Sequence, residues 1–142
     1  MKDPFIYYRL DQFYNNYRSF VKSRDNYQLK GKLKTLEETK KCLNAKSYAD
    51  LLHDKWLNGA VTPYMKQNTD KLAYPCGMIA KYFFNDIFKG IRATDNSFAA
   101  EIDDSNIAFP ADVNSKFKVN EEALKNRQYY RNVTDPHFMV WY

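Results

Sequence analysis

The chain has 142 residues, 44% hydrophobic and 27% charged, a length suited to one domain and a balance that excludes wholesale disorder. Its apolar runs are only a few residues long, so no transmembrane helix is expected within it, and residues 1–20 lack the apolar stretch and cleavage site of a signal peptide. The net charge of +5 would suit nucleic acid, an anionic membrane or an acidic partner, but the 22 Lys and Arg interleave with 17 Asp and Glu, and a solvated surface explains that more simply.

Aromatic residues reach 17%, with 12 Tyr and 10 Phe, a composition better suited to sheets than to a helical bundle. In chain order, Ile6, Tyr8 and Leu10 alternate with Phe5, Tyr7 and Arg9, which reads as a strand over 5–10. Asp11 can cap a helix over 12–22, whose face would carry Phe13, Tyr14, Tyr17, Phe20 and Val21. Residues 23–41 are polar and lysine-rich, a surface segment with a turn at Gly31. Ser47 opens a helix over 47–57 that Asn58-Gly59 would stop, and 60–73 reads as loop. Ala80, Phe83, Phe84, Ile87, Phe88 and Ile91 fall on one stripe of a helix over 77–89, ended by Gly90.

Beyond Gly90 the period shortens to two. Phe98, Ala100 and Ile102 alternate with polar neighbours, Asp103-Asp104-Ser105-Asn106 is a turn, and Ile107-Ala108-Phe109 resumes an extended run that Pro110 closes. Phe117 and Val119 suggest a further strand, and 121–128 has room for one or two helical turns. Phe138, Val140 and Tyr142 alternate up to the last residue, which reads as a strand cut in mid-pattern.

Catalytic signatures are absent: no glycine-rich phosphate loop, no HExxH, no CxxC and no GxSxG. His53 and His137 with two distant cysteines make a poor zinc set. The pairs Glu37-Glu38, Asp103-Asp104 and Glu121-Glu122 read as turn or surface charge. Cys42 and Cys76 could form a disulfide or remain two buried thiols. Tyr7-Tyr8-Arg9 and Tyr129-Tyr130-Arg131 could stack on bases, and this supplies the alternative reading, a small basic single-stranded nucleic-acid-binding module. Asn132-Val133-Thr134 is a glycosylation triplet that matters only outside the cytoplasm.

Three stretches carry a resemblance. Residues 7–24, from Tyr7-Tyr8-Arg9-Leu10-Asp11 to Ser23-Arg24, resemble a "YY-L-NFYQN-RRYV-SR" segment. Pro75-Cys76-Gly77-Met78-Ile79-Ala80 with Phe84-Asn85-Asp86 resembles "PCG-IA…FND". Ile107-Ala108-Phe109-Pro110-Ala111-Asp112 with Lys116-Phe117, then Asp135 to Trp141, resemble "IAW-SD…KF" and "HF-VW". In this order they are similar to the cell division control protein 50 family, also called ligand-effect modulator 3, the β-subunits of type IV P-type ATPase phospholipid flippases.

The resemblance implies a mixed, mainly β ectodomain, an antiparallel sandwich decorated with short helices over about 12–22, 47–57 and 77–89. It implies a non-catalytic subunit with no cofactor and no nucleic-acid role. Its partner would be the ATPase catalytic subunit, which it would support in folding, in exit from the endoplasmic reticulum and in lipid flipping. By the same resemblance Cys76 is the PCG cysteine and Cys42 its partner, closing 43–73 as an insertion. The family's sequon after "FN" is lost at Asn85-Asp86-Ile87, and Asn132 is a substitute site. Residues 1–142 would then be one partial lumenal or extracellular domain. Both membrane helices would lie outside it, and unpaired strand edges would leave it folding poorly alone.

Overall fold

Capping side chains divide this chain into short pieces. The computed structural model describes residues 7, 9, 11–54, 57, 60–84, 86 and 90–142. Helix α1 is Arg18–Lys22. Asp25 accepts from the N–H groups of Tyr27 and Gln28 and starts α2, Asn26–Leu29. Ser47 and Asp50 close a capping box on α3, Tyr48–Leu52. Thr62 caps α4, Pro63–Gln67, and the Met65 sulfur accepts the Thr62 N–H where a carboxylate usually would. Helix α5 is Met78–Lys81, and Pro110 opens α6, Pro110–Ser115. Asn120 caps α7, Glu121–Lys125, and Asp135 with Pro136 starts α8, Pro136–Trp141. Helices this short have little stability of their own, so packing must hold them.

The described residues therefore do not form a mainly β sandwich. Their only sheet is an antiparallel ribbon of β1, Ile91–Arg92, and β2, Ala99–Ala100, with Ile91 opposite Ala100 and Arg92 opposite Ala99. The reason is plain at 138–142. Phe138 and Tyr142 are also four residues apart, and on α8 their rings meet at 5.1 Å while Val140 points away, 59% exposed. Five residues of alternation fit either period, and the Asp135-Pro136 start decides. At Phe117–Val119 the expected strand is a single bridge, Lys118 beside Lys30.

The expected helices are shorter than their apolar stripes. Over 12–22 only Arg18–Lys22 is helical, because Gln12 adopts a left-handed backbone with φ 57° and the Asp11 carboxylate pairs with Arg9 at 2.7 Å instead of capping. Phe13, Tyr14 and Tyr17 stay exposed, and Phe20 is buried. The helix expected over 47–57 ends at Leu52, and its stop signal at Asn58-Gly59 lies outside the described residues. The one expected over 77–89 ends at Lys81, because Arg131 donates to the carbonyls of Ala80 and Lys81 and the Trp141 indole to that of Ile79. Asn85 and 87–89 are outside the description, as are 1–6, Tyr8 and Leu10, which hold most of the strand read over 5–10. The supposed loop 60–73 contains α4, and the supposed surface segment 23–41 buries Ser23, Asp25, Gln28, Leu29 and Thr39. Gly31 does turn the chain, at φ 75°.

The core assembles around the segment Leu72 to Gly77, which forms isolated bridges at Leu72 and Tyr74 and bends at Pro75 and Gly77. On one side Ala73 N–H donates to Lys46 C=O, and Gly77 N–H to Ala45 C=O. On the other, Tyr130 N–H donates to Tyr74 C=O. The buried Gln28 amide spans its length: Nε2 donates to Ala73 C=O at 3.0 Å, and Oε1 accepts from Cys76 N–H at 2.9 Å. Tyr48, Leu51, Met65, Phe117, Val133 and Phe138 pack around this segment, all nearly inaccessible. Leu29 O accepts from Lys118 N–H at 2.6 Å and joins α2 to the C-terminal third.

Gly77 sets the tightest approach. Its φ is 108°, and an added Cβ would lie 2.0 Å from the Ser23 carbonyl oxygen and 2.7 Å from its carbon. Neither partner is a side chain that could swing away. Gly77→Ala is expected to lower unfolding free energy by about 3 kcal/mol or more, combining strained dihedrals with a backbone clash. A denaturant titration checks it, and an unchanged midpoint would contradict the packing described.

Candidate functional site

The same segment places Cys76 against Cys42. Cys42 and Cys76 are bonded, with Cα atoms 5.7 Å apart and both side chains inaccessible. Around the bond, Ser23 Oγ donates to Leu43 C=O at 2.9 Å and accepts from Met78 N–H at 3.0 Å. One hydroxyl thus ties the end of α1 to both flanks of the disulfide. Gln28, Ser23 and the Gly77 contact escape sequence reasoning, since nothing in a polar segment marks which polar residue turns inward. The glycine after Cys76 was the one available signal.

Asn132 is exposed beside the buried Val133. Its Oδ1 accepts from Thr134 N–H at 3.0 Å and from Thr134 Oγ1 at 2.7 Å, while Val133 is buried. The triplet is therefore an Asx turn presented on the surface, 90 residues in sequence beyond Cys42 and attached to the core through Val133.

The remaining titratable candidates do not converge. His53 is the C-cap of α3. His137 Nε2 meets Asp104 Oδ2 at 2.6 Å, on a partly exposed surface. Glu38 accepts from Thr35 N–H, Asp103 accepts from Ser105 N–H and Oγ, and Glu121 and Glu122 occupy the first turn of α7. Among the described residues no three or more His, Cys, Asp or Glu side chains could share a metal ion. Tyr130 is buried and Tyr129 packs edge-on against Tyr74 at 5.7 Å, so neither offers a face for stacking bases. The nucleic-acid alternative loses its platform there.

Electrostatics serve the folding of α3. Burial opposes ionisation of Asp50, but the N–H groups of Ser47 and Lys46, the Ser47 hydroxyl and the Lys81 charge outweigh it and hold the carboxyl below its ordinary value. Lys81, itself buried, donates to Asp50 C=O at 3.1 Å and pairs with Asp54 at 3.4 Å. Burial also pushes Tyr82 up to about 12, helped by its bond to Asp54.

The description "LEM3 (ligand-effect modulator 3) family / CDC50 family" matches residues 1–142.

The chain belongs to the LEM3/CDC50 family.

Relatives include cell cycle control protein 50A of Rattus norvegicus, 30% identical over 137 residues covering 93% of this chain and 36% of the relative. Putative ALA-interacting subunit 4 of Arabidopsis thaliana is 31% identical over 84% of this chain and 29% of its own length. Phospholipid-transporting ATPase accessory subunit CRF1 of Saccharomyces cerevisiae is 34% identical over 61% of this chain and 17% of its own. The chain thus spans about a third or less of the curated relatives it matches. No helix among the described residues is long and apolar enough to cross a membrane.

Two outcomes follow for this LEM3/CDC50 domain. Replacing both cysteines, Cys42→Ser with Cys76→Ser, is expected to cost about 4 kcal/mol in the chain-entropy account of a loop this long, read as a lower denaturation midpoint. Because the folded Asp50 carboxyl sits below its unfolded value of 3.8, its stabilising share is complete above that pH and disappears as pH falls through the lower folded value. Asp50→Asn should flatten that part of the acid limb in a pH series of melts. An unaltered limb would remove Asp50 from the account.

Proposed function

We propose that this chain is part of the extracytoplasmic domain of a non-catalytic accessory subunit of a phospholipid-transporting P-type ATPase. The observation that carries the proposal is the family match over the whole chain, together with relatives named as accessory subunits of such ATPases. Two features of the structure support the compartment. A fully buried disulfide suits an oxidising lumen, and the exposed Asx turn at Asn132 offers the oligosaccharide transferase an accessible amide. Residues 43–73 are read as an insertion closed by the Cys42–Cys76 bond, although Ala45, Tyr48, Leu51 and Met65 within it also build the core.

The role is that of a buttress. A domain cross-linked at its centre presents fixed surfaces to the catalytic subunit and favours one conformer of the pump by binding it better than the others. Chemistry stays with the ATPase, and the subunit supports its folding, its exit from the endoplasmic reticulum and its lipid flipping. The arrangement requires no cofactor.

Co-expression with a flippase-type ATPase tests this directly. The subunit carrying this domain should co-purify with the ATPase, and a folded domain that fails to associate would overturn the assignment. In the same cells, glycosidase treatment should increase gel mobility of the wild type. Asn132→Gln and Thr134→Ala should each reduce that shift and Thr134→Ser should retain it; a shift left unchanged by Asn132→Gln would show that Asn132 carries no glycan.

A further inference from the structure

Beside the disulfide, α1 and residues 41–43 enclose an open cleft of about 470 Å³ lined by Tyr17, Arg18, Ser19, Lys22, Lys41 and Leu43. Three of these six side chains are cationic and none is acidic. Arg18, Lys22 and Lys41 have no acidic partner within salt-bridge distance among the described residues. An adjoining cleft shares Lys41 and adds Lys30, Lys34 and Lys40. The acids there are already engaged. Asp25, 3% exposed, accepts from Tyr27 and Gln28 N–H and pairs with Lys34 at 2.9 Å, and Glu38 accepts from Thr35 N–H. The adjoining cleft thus sets four cations against two carboxylates, and the first sets three against none, which leaves a net positive potential on this side.

The walls are held apart by the structure. Lys22 ends α1, and the next residue, Ser23, bonds to the Leu43 carbonyl. Lys41 precedes the disulfide at Cys42. The backbone that carries these cations is fixed, so only their side chains need ordering to meet a ligand. The rim is apolar. Tyr17 is 47% exposed and Leu43 64%, and Tyr14 and Val21 add exposed apolar surface on the same stretch of chain. Cations rimmed by tyrosine and aliphatic groups match the layered chemistry of a membrane interface, where phosphate lies beside the start of the acyl region. A soluble polyanion would make no use of the apolar Leu43 surface.

We propose that this cleft binds the phosphate of an anionic phospholipid headgroup at the membrane surface, with Arg18, Lys22 and Lys41 on the phosphate and Tyr17 and Leu43 against the glycerol and upper acyl region. The choice of lipid rests on the accessory-subunit reading above. The cleft would hold the extracytoplasmic domain against the leaflet that supplies the pump.

The test is flotation of the full, disulfide-intact chain with phosphatidylcholine vesicles, with and without phosphatidylserine, at physiological ionic strength. Binding should require phosphatidylserine. The variant R18Q/K22Q/K41Q should bind at least about tenfold more weakly, as expected for three cations near a charged surface. K66Q/K71Q/K125Q, which removes the same net charge elsewhere, should bind like the wild type. K22R/K41R should also retain binding, and unchanged near-ultraviolet circular dichroism identifies folded variants. No binding by the wild type, or equal losses in the two neutralised variants, would overturn the proposal. So would complete displacement by millimolar inorganic phosphate or by a polyglutamate peptide, which would mark a site for free anion or for an acidic protein segment. Wild-type protein that co-purifies with the ATPase but does not float removes this inference alone; protein that floats but never associates removes the accessory-subunit reading and leaves the cleft.

Discussion

The described structure depends on six residues, Leu72 to Gly77, being held in place through the middle of the molecule. Their backbone groups are bonded on one edge to Ala45 and Lys46 and on the other to Tyr130, and the Gln28 amide bridges Ala73 and Cys76. The disulfide then fixes Cys76 to Cys42, and Gly77 lies against the backbone of Ser23. Three regions far apart in sequence, 23–28, 42–46 and the stretch at Tyr130, thus meet on a single segment. No sheet of ordinary size does this work among the described residues; side-chain amides, one hydroxyl and a covalent bond replace the missing ladders.

This explains why such short helices persist. Helices of four to six residues cannot hold themselves in water. Most are capped at their start by a side chain or opened by proline, and most place one or two residues in the core: Leu29 from α2, Tyr48 and Leu51 from α3, Met65 from α4, Ala123 from α7, Phe138 from α8. Rings supply much of the contact, with Trp141 meeting Phe13, Phe83 and Phe84 where α8 crosses the end of α5. The abundance of Tyr and Phe that suggested a sheet serves this irregular packing instead.

What was legible in the sequence was local or motif-like. Ser47 announced α3, Gly31 a turn, and the stretch 121–128 a short helix, because each depends on a capping or dihedral preference of a few residues. The motif series around Pro75-Cys76-Gly77 identified the family, because those residues answer to a particular close approach. Fold class was misread. Alternation at 138–142 and helical stripes at 12–22 and 77–89 are weak guides when tertiary bonds, such as Arg131 to Ala80, decide where elements end. The inward turn of Gln28 and Ser23 had no signal at all in a lysine-rich segment. The strand edges from which poor autonomous folding was expected are likewise absent at 138–142, where α8 stands.

The most direct measurement of the central claim is native-state hydrogen exchange of the amides of Ala73, Cys76, Gly77 and Tyr130, before and after reduction. If the segment is the common support, these four exchange together at the slowest rate in the oxidised protein and accelerate together when the disulfide is reduced. Exchange of Cys76 and Gly77 as fast as that of the exposed Asp95–Ser97 turn, or independently of Ala73 and Tyr130, would contradict the account.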